Sequence, residues 1–262
     1  MSRITVDAGG VALSARVDGG AGKPWLLLSN SLAADLSMWD DQIAHLTRTH
    51  RVLRYDTRGH GESGAPEGPY AFVDLVADMV ALLDHVGAER ADVMGLSLGG
   101  MTALGLGLAH PGRVRRMVVC DARADAPPPF VQSWDDRIAA IRAGGMASIV
   151  EGTLARWFTP AADPAVPARA KAMILATSPI GYEGCAGALK RLDYLRHLGG
   201  MTVPVRYIVG AEDMGAPPAV MRAMAEATPG ASFAEIAGAA HVPNMENPAA
   251  FAAALGDFLE AA

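Results

Sequence analysis

The stretch Gly95-Leu96-Ser97-Leu98-Gly99 constrains the fold of this chain more than any other. A strand-like run, Ala91-Asp92-Val93-Met94, leads into it, and a helix-like run over 98–104 leads out. A G-x-S-x-G sequence between strand and helix is the pattern of a tight turn that lifts a serine hydroxyl above the edge of a sheet. Its glycines remove the Cβ atoms that such a turn cannot hold. The serine then stands at a helix N-terminus, where developing negative charge is favoured. Ser97 is therefore read as a nucleophile.

A strand–turn–helix unit belongs in a helix-covered, mostly parallel sheet, and the chain supplies one. Residues 4–17 alternate about Gly9-Gly10 and predict a hairpin. Residues 25–28, 51–55, 114–120 and 205–209 read as buried strands, and residues 232–236 as an eighth strand. Helical spacing covers 38–46, 72–86 and 218–227, and a helix over 248–259 closes the chain. Between 122 and 199 only helical patterns occur, as in 134–141 and 146–158, broken by Pro127-Pro128-Pro129, Gly144-Gly145 and Pro160. The expectation is an α/β core formed by 1–121 and 200–262, with an eight-stranded, mostly parallel sheet and a helical cap inserted over 122–199.

Composition fits that architecture. Of 262 residues, 51% are hydrophobic and 19% charged, enough for a substantial core. The net charge of −6 gives no general attraction for nucleic acid. The basic cluster Arg113 to Arg116 reads as a solvated strand start. Cys120 and Cys185 are too few for a disulfide framework and read as inert core thiols in a reducing compartment. Residues 1–6 run directly into a strand pattern and no apolar run is long enough to span a bilayer, so a soluble cytoplasmic protein is expected. Oligomeric state is not readable.

A serine hydroxyl needs a base, and histidine titrates near neutrality. Of seven histidines, His45, His50, His85 and His110 fall in or beside helical segments and are expected at the surface. His197 lies near the end of the cap and His60 in a Gly-rich loop. His241 follows the last strand, where loops at strand C-termini converge on a site. It is taken as the base. Asp213, in the loop after residues 205–209, is the preferred orienting acid, and Asp121, ending the strand before, is its rival. Two backbone N–H groups must face the oxyanion. One is that of Leu98. The other lies after residues 25–28, at Leu32 in preference to Ser31. No H-E-x-x-H, C-x-x-C or phosphate-binding glycine motif is present, so neither a metal nor a nucleotide cofactor is expected.

These elements together resemble the α/β-hydrolase superfamily over essentially the whole chain, with Ser97, Asp213 and His241 in the order that superfamily uses. Asp56-Thr57-Arg58-Gly59-His60-Gly61-Glu62-Ser63 is similar to its D-x-R-G-x-G-x-S segment, which is structural and leaves His60 non-catalytic. Asn30-Ser31-Leu32, the segment 35–39, Ala122-Arg123, Arg156-Trp157-Phe158 and Gly181-Tyr182-Glu183-Gly184-Cys185 are similar to the 3-oxoadipate enol-lactonases of that superfamily. The chain departs from them at Ala33, Asp121 and Pro243. The resemblance implies a serine hydrolase of aromatic-compound catabolism, the β-ketoadipate pathway, which opens a small anionic enol-lactone. Arg123 would hold the substrate carboxylate, and Trp134, Met146 and Trp157 are candidate pocket walls. A general carboxylesterase or lactonase, a perhydrolase-type enzyme and a non-catalytic receptor on the same fold stay open as alternatives.

Overall fold

The computed structural model describes residues 2–260. Its eight strands are β1 (Ser2–Ala8), β2 (Val11–Asp18), β3 (Trp25–Ser29), β4 (Arg51–Tyr55), β5 (Ala91–Leu96), β6 (Val114–Cys120), β7 (Val205–Gly210) and β8 (Ser232–Ile236). They form one sheet in the order β1-β2-β4-β3-β5-β6-β7-β8. The β1/β2 and β2/β4 pairs are antiparallel; all pairs from β4 through β8 are parallel. Every residue of β5 is buried, as a central parallel strand covered by helices on both faces requires. The edge strand β8 is mostly half-buried.

Local boundaries shift for identifiable reasons. The helix after the elbow runs to Ala109, because its glycines are tolerated where the helix is buried on almost all sides. The predicted 146–158 helix is split into a turn, Met146–Ile149, and a helix, Val150–Trp157. The terminal helix stops at Leu255, where Gly256 takes φ 52°. Between β6 and β7 lie four helices, Pro128–Gly144, Val150–Trp157, Ala165–Ala176 and Pro179–Leu189. Their root is tied where the N–H groups of Tyr194 and Leu195 both donate to the Ala124 carbonyl.

Two expectations are corrected. His50 is not a surface residue: it is 1% exposed and its Nε2 lies 2.8 Å from Asp92 in β5. Asp92 is itself fully buried and also receives Arg115 at 2.5 Å and Arg116 at 3.3 Å. Those arginines, and Arg113 paired with Asp84 at 2.6 Å, are ion-paired rather than freely solvated. A buried carboxylate needs such partners, and the contacts join residues far apart in sequence, so no local pattern announces them.

Candidate active site

The elbow is built by steric exclusion. Ser97 sits at φ 55°, ψ −117°, a strained backbone for a residue with a Cβ. A Cβ on Gly95 would lie 2.2 Å from the Gly99 carbonyl oxygen, and one on Gly99 2.2 Å from that of Ser29. Both positions must therefore be glycine. The Ser97 N–H donates to the Cys120 carbonyl at 2.8 Å and the Gly99 N–H to that of Asn30 at 2.9 Å, fastening the turn to strands on both sides. Leu98 opens the helix, so its N–H belongs to the first-turn donors that lack an intrahelical acceptor.

The loop carrying Ser31 and Leu32 is fixed from below. Asn30 Nδ2 donates to the Tyr55 carbonyl at 2.7 Å and its Oδ1 accepts from Trp39 Nε1 at 2.9 Å. Ala33 takes φ 65°, and its N–H donates to His60 Nε2 at 3.0 Å. His60 Nδ1 lies 3.1 Å from the Arg58 carbonyl, so the neutral tautomer satisfies both contacts. Burial pushes the His60 pKa down to about 4. The neighbouring Asp56 accepts from the N–H groups of Leu36 and Glu62, and Arg58 grips Asp78 through two hydrogen bonds, at 2.7 and 2.6 Å. The segment 56–63 is a brace for the loop beside the nucleophile.

His241 and Asp213 come together although 28 residues apart: Nδ1 lies 2.9 Å from Oδ2. Asp213 Oδ1 accepts from the Gly215 N–H at 2.7 Å. Burial pushes the Asp213 carboxyl up. Its ion pair and hydrogen bond with His241 and the N–H groups of Gly215 and Ala216 outweigh that and hold it below the usual carboxylate range. Asp121 is also close: one ligand atom each from Asp121, Asp213 and His241 lie within 4.8 Å of one another. The contact between His241 Nδ1 and a carboxylate is made by Asp213, so the rival stands behind the preferred acid.

Ser97, His241, Leu32 and Asp121 line one cavity of about 340 Å³ beneath the cap. Trp134 and Trp157 line it. Met146 does not: it starts the Met146–Ile149 turn and is buried in the hydrophobic core, because the break after Gly145 separates it from the pocket-lining face. Arg123 reaches the cavity, but its guanidinium is 3.1 Å from Asp125 and stacks on Phe130 at 5.3 Å. Sequence reading missed two further cations there, Arg137 and Arg156, and the phenol-bearing Tyr182. Among the described residues no carboxylate is within ion-pair distance of Arg137 or Arg156. Arg137 lies over the Trp134 ring at 4.3 Å. Burial, and then Arg137, bring the Arg156 pKa down to about 10. The one available signal was helical spacing, since Trp134 and Arg137 are three residues apart on one helix face. Glu246 was also missed. It accepts from the Ala240 N–H and from both the N–H and hydroxyl of Thr159, each at 2.7 Å, and so clamps the histidine loop to the cap.

A serine on a strained elbow, a histidine–aspartate pair in the strand-end loops and a parallel sheet with inserted helices define the class. The alpha/beta hydrolase fold family matches residues 24–248, and the chain belongs to it. It is 35% identical over 250 residues to 3-oxoadipate enol-lactonase 2 of Acinetobacter baylyi, covering 94% of this chain and 92% of that one. Among solved structures it is similar to an enol-lactonase from Burkholderia xenovorans, with a TM-score of 0.94 and 37% identity over 99% of this chain and 100% of that one. It is also similar to a thermophilic esterase from Thermogutta terrifontis, with a TM-score of 0.91 and 27% identity over 99% and 98% of the two chains. No helix among the described residues is long and apolar enough to cross a membrane.

Proposed function

We propose that the protein is a serine hydrolase that opens a small anionic enol-lactone, 3-oxoadipate enol-lactone, to 3-oxoadipate through an acyl-enzyme. The observation that carries this reading is a single cavity that joins Ser97 and His241 to three arginines, two of them without a carboxylate partner among the described residues. Half-buried guanidinium groups without a counter-charge are costly unless an anion meets them. The chain's own net charge of −6 makes a local cationic pocket more pointed as a selector.

In this reading Ser97 Oγ attacks the lactone carbonyl while His241 takes its proton. Asp213 holds the imidazole and stabilises its cation. The N–H groups of Leu98 and Leu32 receive the oxyanion. The ring C–O bond breaks and the oxygen leaves as an enolate; the proton held by His241 passes to it, giving the enol that becomes the ketone and returning the imidazole to its neutral form. A water deprotonated by His241 then attacks the acyl carbon, and the 3-oxo acid and free Ser97 result. Arg137 and Arg156, with Arg123 beside them, hold the substrate carboxylate, and Trp134 and Trp157 pack on the apolar ring.

A second reading, hydrolysis of neutral short-chain esters, is favoured by the likeness to the thermophilic esterase and by the aromatic walls. The test is a panel of enol-lactone, simple lactones and p-nitrophenyl esters, with fluorophosphonate labelling of wild type and Ser97→Ala. The expected result is preference for the anionic enol-lactone and labelling that disappears in Ser97→Ala, with kcat reduced on the order of 10⁶. Equal turnover of neutral esters would select the second reading. Persistent activity in Ser97→Ala would overturn the serine mechanism.

A further inference from the structure

We infer that Asp121 is a positioning residue: it stays a neutral carboxylic acid and donates its proton to Asp213, so that the two side chains carry one negative charge behind His241. The inference rests on Asp213 acting as the partner of a catalytic histidine.

The geometry assigns the charge unequally. Asp213 has three stabilising contacts in place, from His241 Nδ1 and the N–H groups of Gly215 and Ala216. Asp121 is completely buried and its Oδ1 accepts one backbone hydrogen bond, from Gly210 at 2.8 Å. Its Oδ2 is buried and has no other hydrogen-bond donor among the described residues. An oxygen of each carboxyl lies within 4.8 Å of one of the other's, and two carboxylates so close in a dry site do not both ionise; the less supported one keeps the proton. A protonated carboxyl has one O–H to give, and Asp213 is the acceptor beside it. The titratable groups bearing on Asp121 are Asp213 from the β7 loop, His241 behind it and the Cys120 thiol next to it in β6. Among the described residues, no arginine or lysine is within ion-pair distance of Asp121. Burial and Asp213 together raise its carboxyl well above the usual range.

The backbone is arranged to hold this pair. Asp121 takes φ 46°, a left-handed conformation uncommon for a residue with a side chain. Its N–H donates to the Ile208 carbonyl at 3.0 Å and its carboxyl accepts from Gly210, so it staples the end of β6 to the end of β7. Asp213 begins its loop on the same glycine, its N–H donating to the Gly210 carbonyl at 3.1 Å. Gly210 in turn leaves no room for a Cβ against the Ala240 carbonyl, 2.0 Å away, next to His241. One residue thus sets the height of the loops that carry both acid and base.

The test compares Asp121→Asn with Asp121→Leu, using p-nitrophenyl acetate across pH and infrared difference spectra against wild type. Asn keeps a donor for Asp213 and an acceptor for Gly210 without a charge. It is expected to retain most of kcat/KM and to leave the acid limb of the pH profile in place. Leu removes the donor, and kcat is expected to fall roughly tenfold to a hundredfold with KM little changed. It also leaves Asp213 a stronger partner for the imidazolium, so the pH at which kcat/KM falls on the acid side should rise. An ionised Asp121 gives the opposite sign: either variant removes a negative charge near His241 and the acid limb moves down. At neutral pH the wild-type-minus-Asn spectrum should show the C=O band of a protonated carboxyl; its absence overturns the inference. That band does not depend on turnover, so an inactive wild type would sink the hydrolase reading while leaving this one standing. If Asp121→Leu does not fold, the Asn variant and the infrared band decide the question.

Discussion

His60 shows how a single buried side chain serves a site it never enters. It holds Ala33 in a left-handed turn next to Leu32 and does so only while neutral. Its folded pKa, about 4, lies below the ordinary 6.5. A histidine depressed in this way contributes stability that is whole above about pH 6.5 and is lost as pH falls towards 4. The slope is about 1.4 kcal/mol per pH unit and the total on the order of 3 kcal/mol. The gap in urea stability between wild type and His60→Gln should therefore narrow as pH is lowered from 6.5 to 4; a constant gap would mean that His60 is charged when folded. Asp121 has the opposite sign. Its raised carboxyl contributes fully below the ordinary aspartate range and loses that contribution as pH rises. Asp121→Asn should gain stability over wild type as pH climbs above about 4, read by the same urea titrations. Asp213→Asn should lose roughly 10⁴ in kcat, because the amide leaves the imidazole in the wrong tautomer. A loss no larger than that of Asp121→Asn would exchange the two roles.

At the scale of elements, the cap is seated by glycines. A Cβ on Gly181 would lie 2.3 Å from the Cα of Gly59, and one on Gly184 would meet the Tyr70 ring at 2.5 Å. The helix Pro179–Leu189 thus rests directly on the 56–63 brace, and it carries Tyr182 into the cavity. Gly181→Ala must displace the helix, at a cost of about 1–3 kcal/mol for overpacking. The expected outcome is a lower Tm together with a higher KM, since Tyr182 moves with its helix. A fall in Tm with KM unchanged would mean that the cap shifts without altering the pocket. Glu246 does related work from the other side, joining Thr159 of the cap to the loop that bears His241.

For the molecule as a whole, the notable feature is a cationic pocket inside an acidic chain. Arg156 feels the charge of Arg137, and among the described residues neither has a carboxylate within ion-pair distance, whereas Arg123 already has Asp125. Arg156→Met and Arg137→Met should each raise KM for the anionic lactone roughly tenfold to a hundredfold while leaving neutral esters nearly unchanged. Arg123→Met should cost less. Steady-state kinetics on both substrates separate these outcomes, and equal losses on both would assign the arginines to cap packing.

The elbow and the eight strands were legible in the chain because each depends on local pattern: a strand period, a glycine where no Cβ fits. Ser97 and His241 stood out as candidates on the same grounds, a serine on the elbow and a histidine in a loop at a strand end. The side-chain length and charge of Arg137 were equally visible, but nothing in a helix of mixed polarity says which face will turn towards Ser97. His50 read as a surface residue for the same reason, since its partner Asp92 is 42 residues away. Met146 read as a pocket wall until a glycine break removed it from that face. Which of two strand-end aspartates touches the histidine was decided only when β6 and β7 were laid side by side. Local sequence determines what each segment can be. The contacts that turn segments into a site are made across long chain separations, and only the packed structure selects among them.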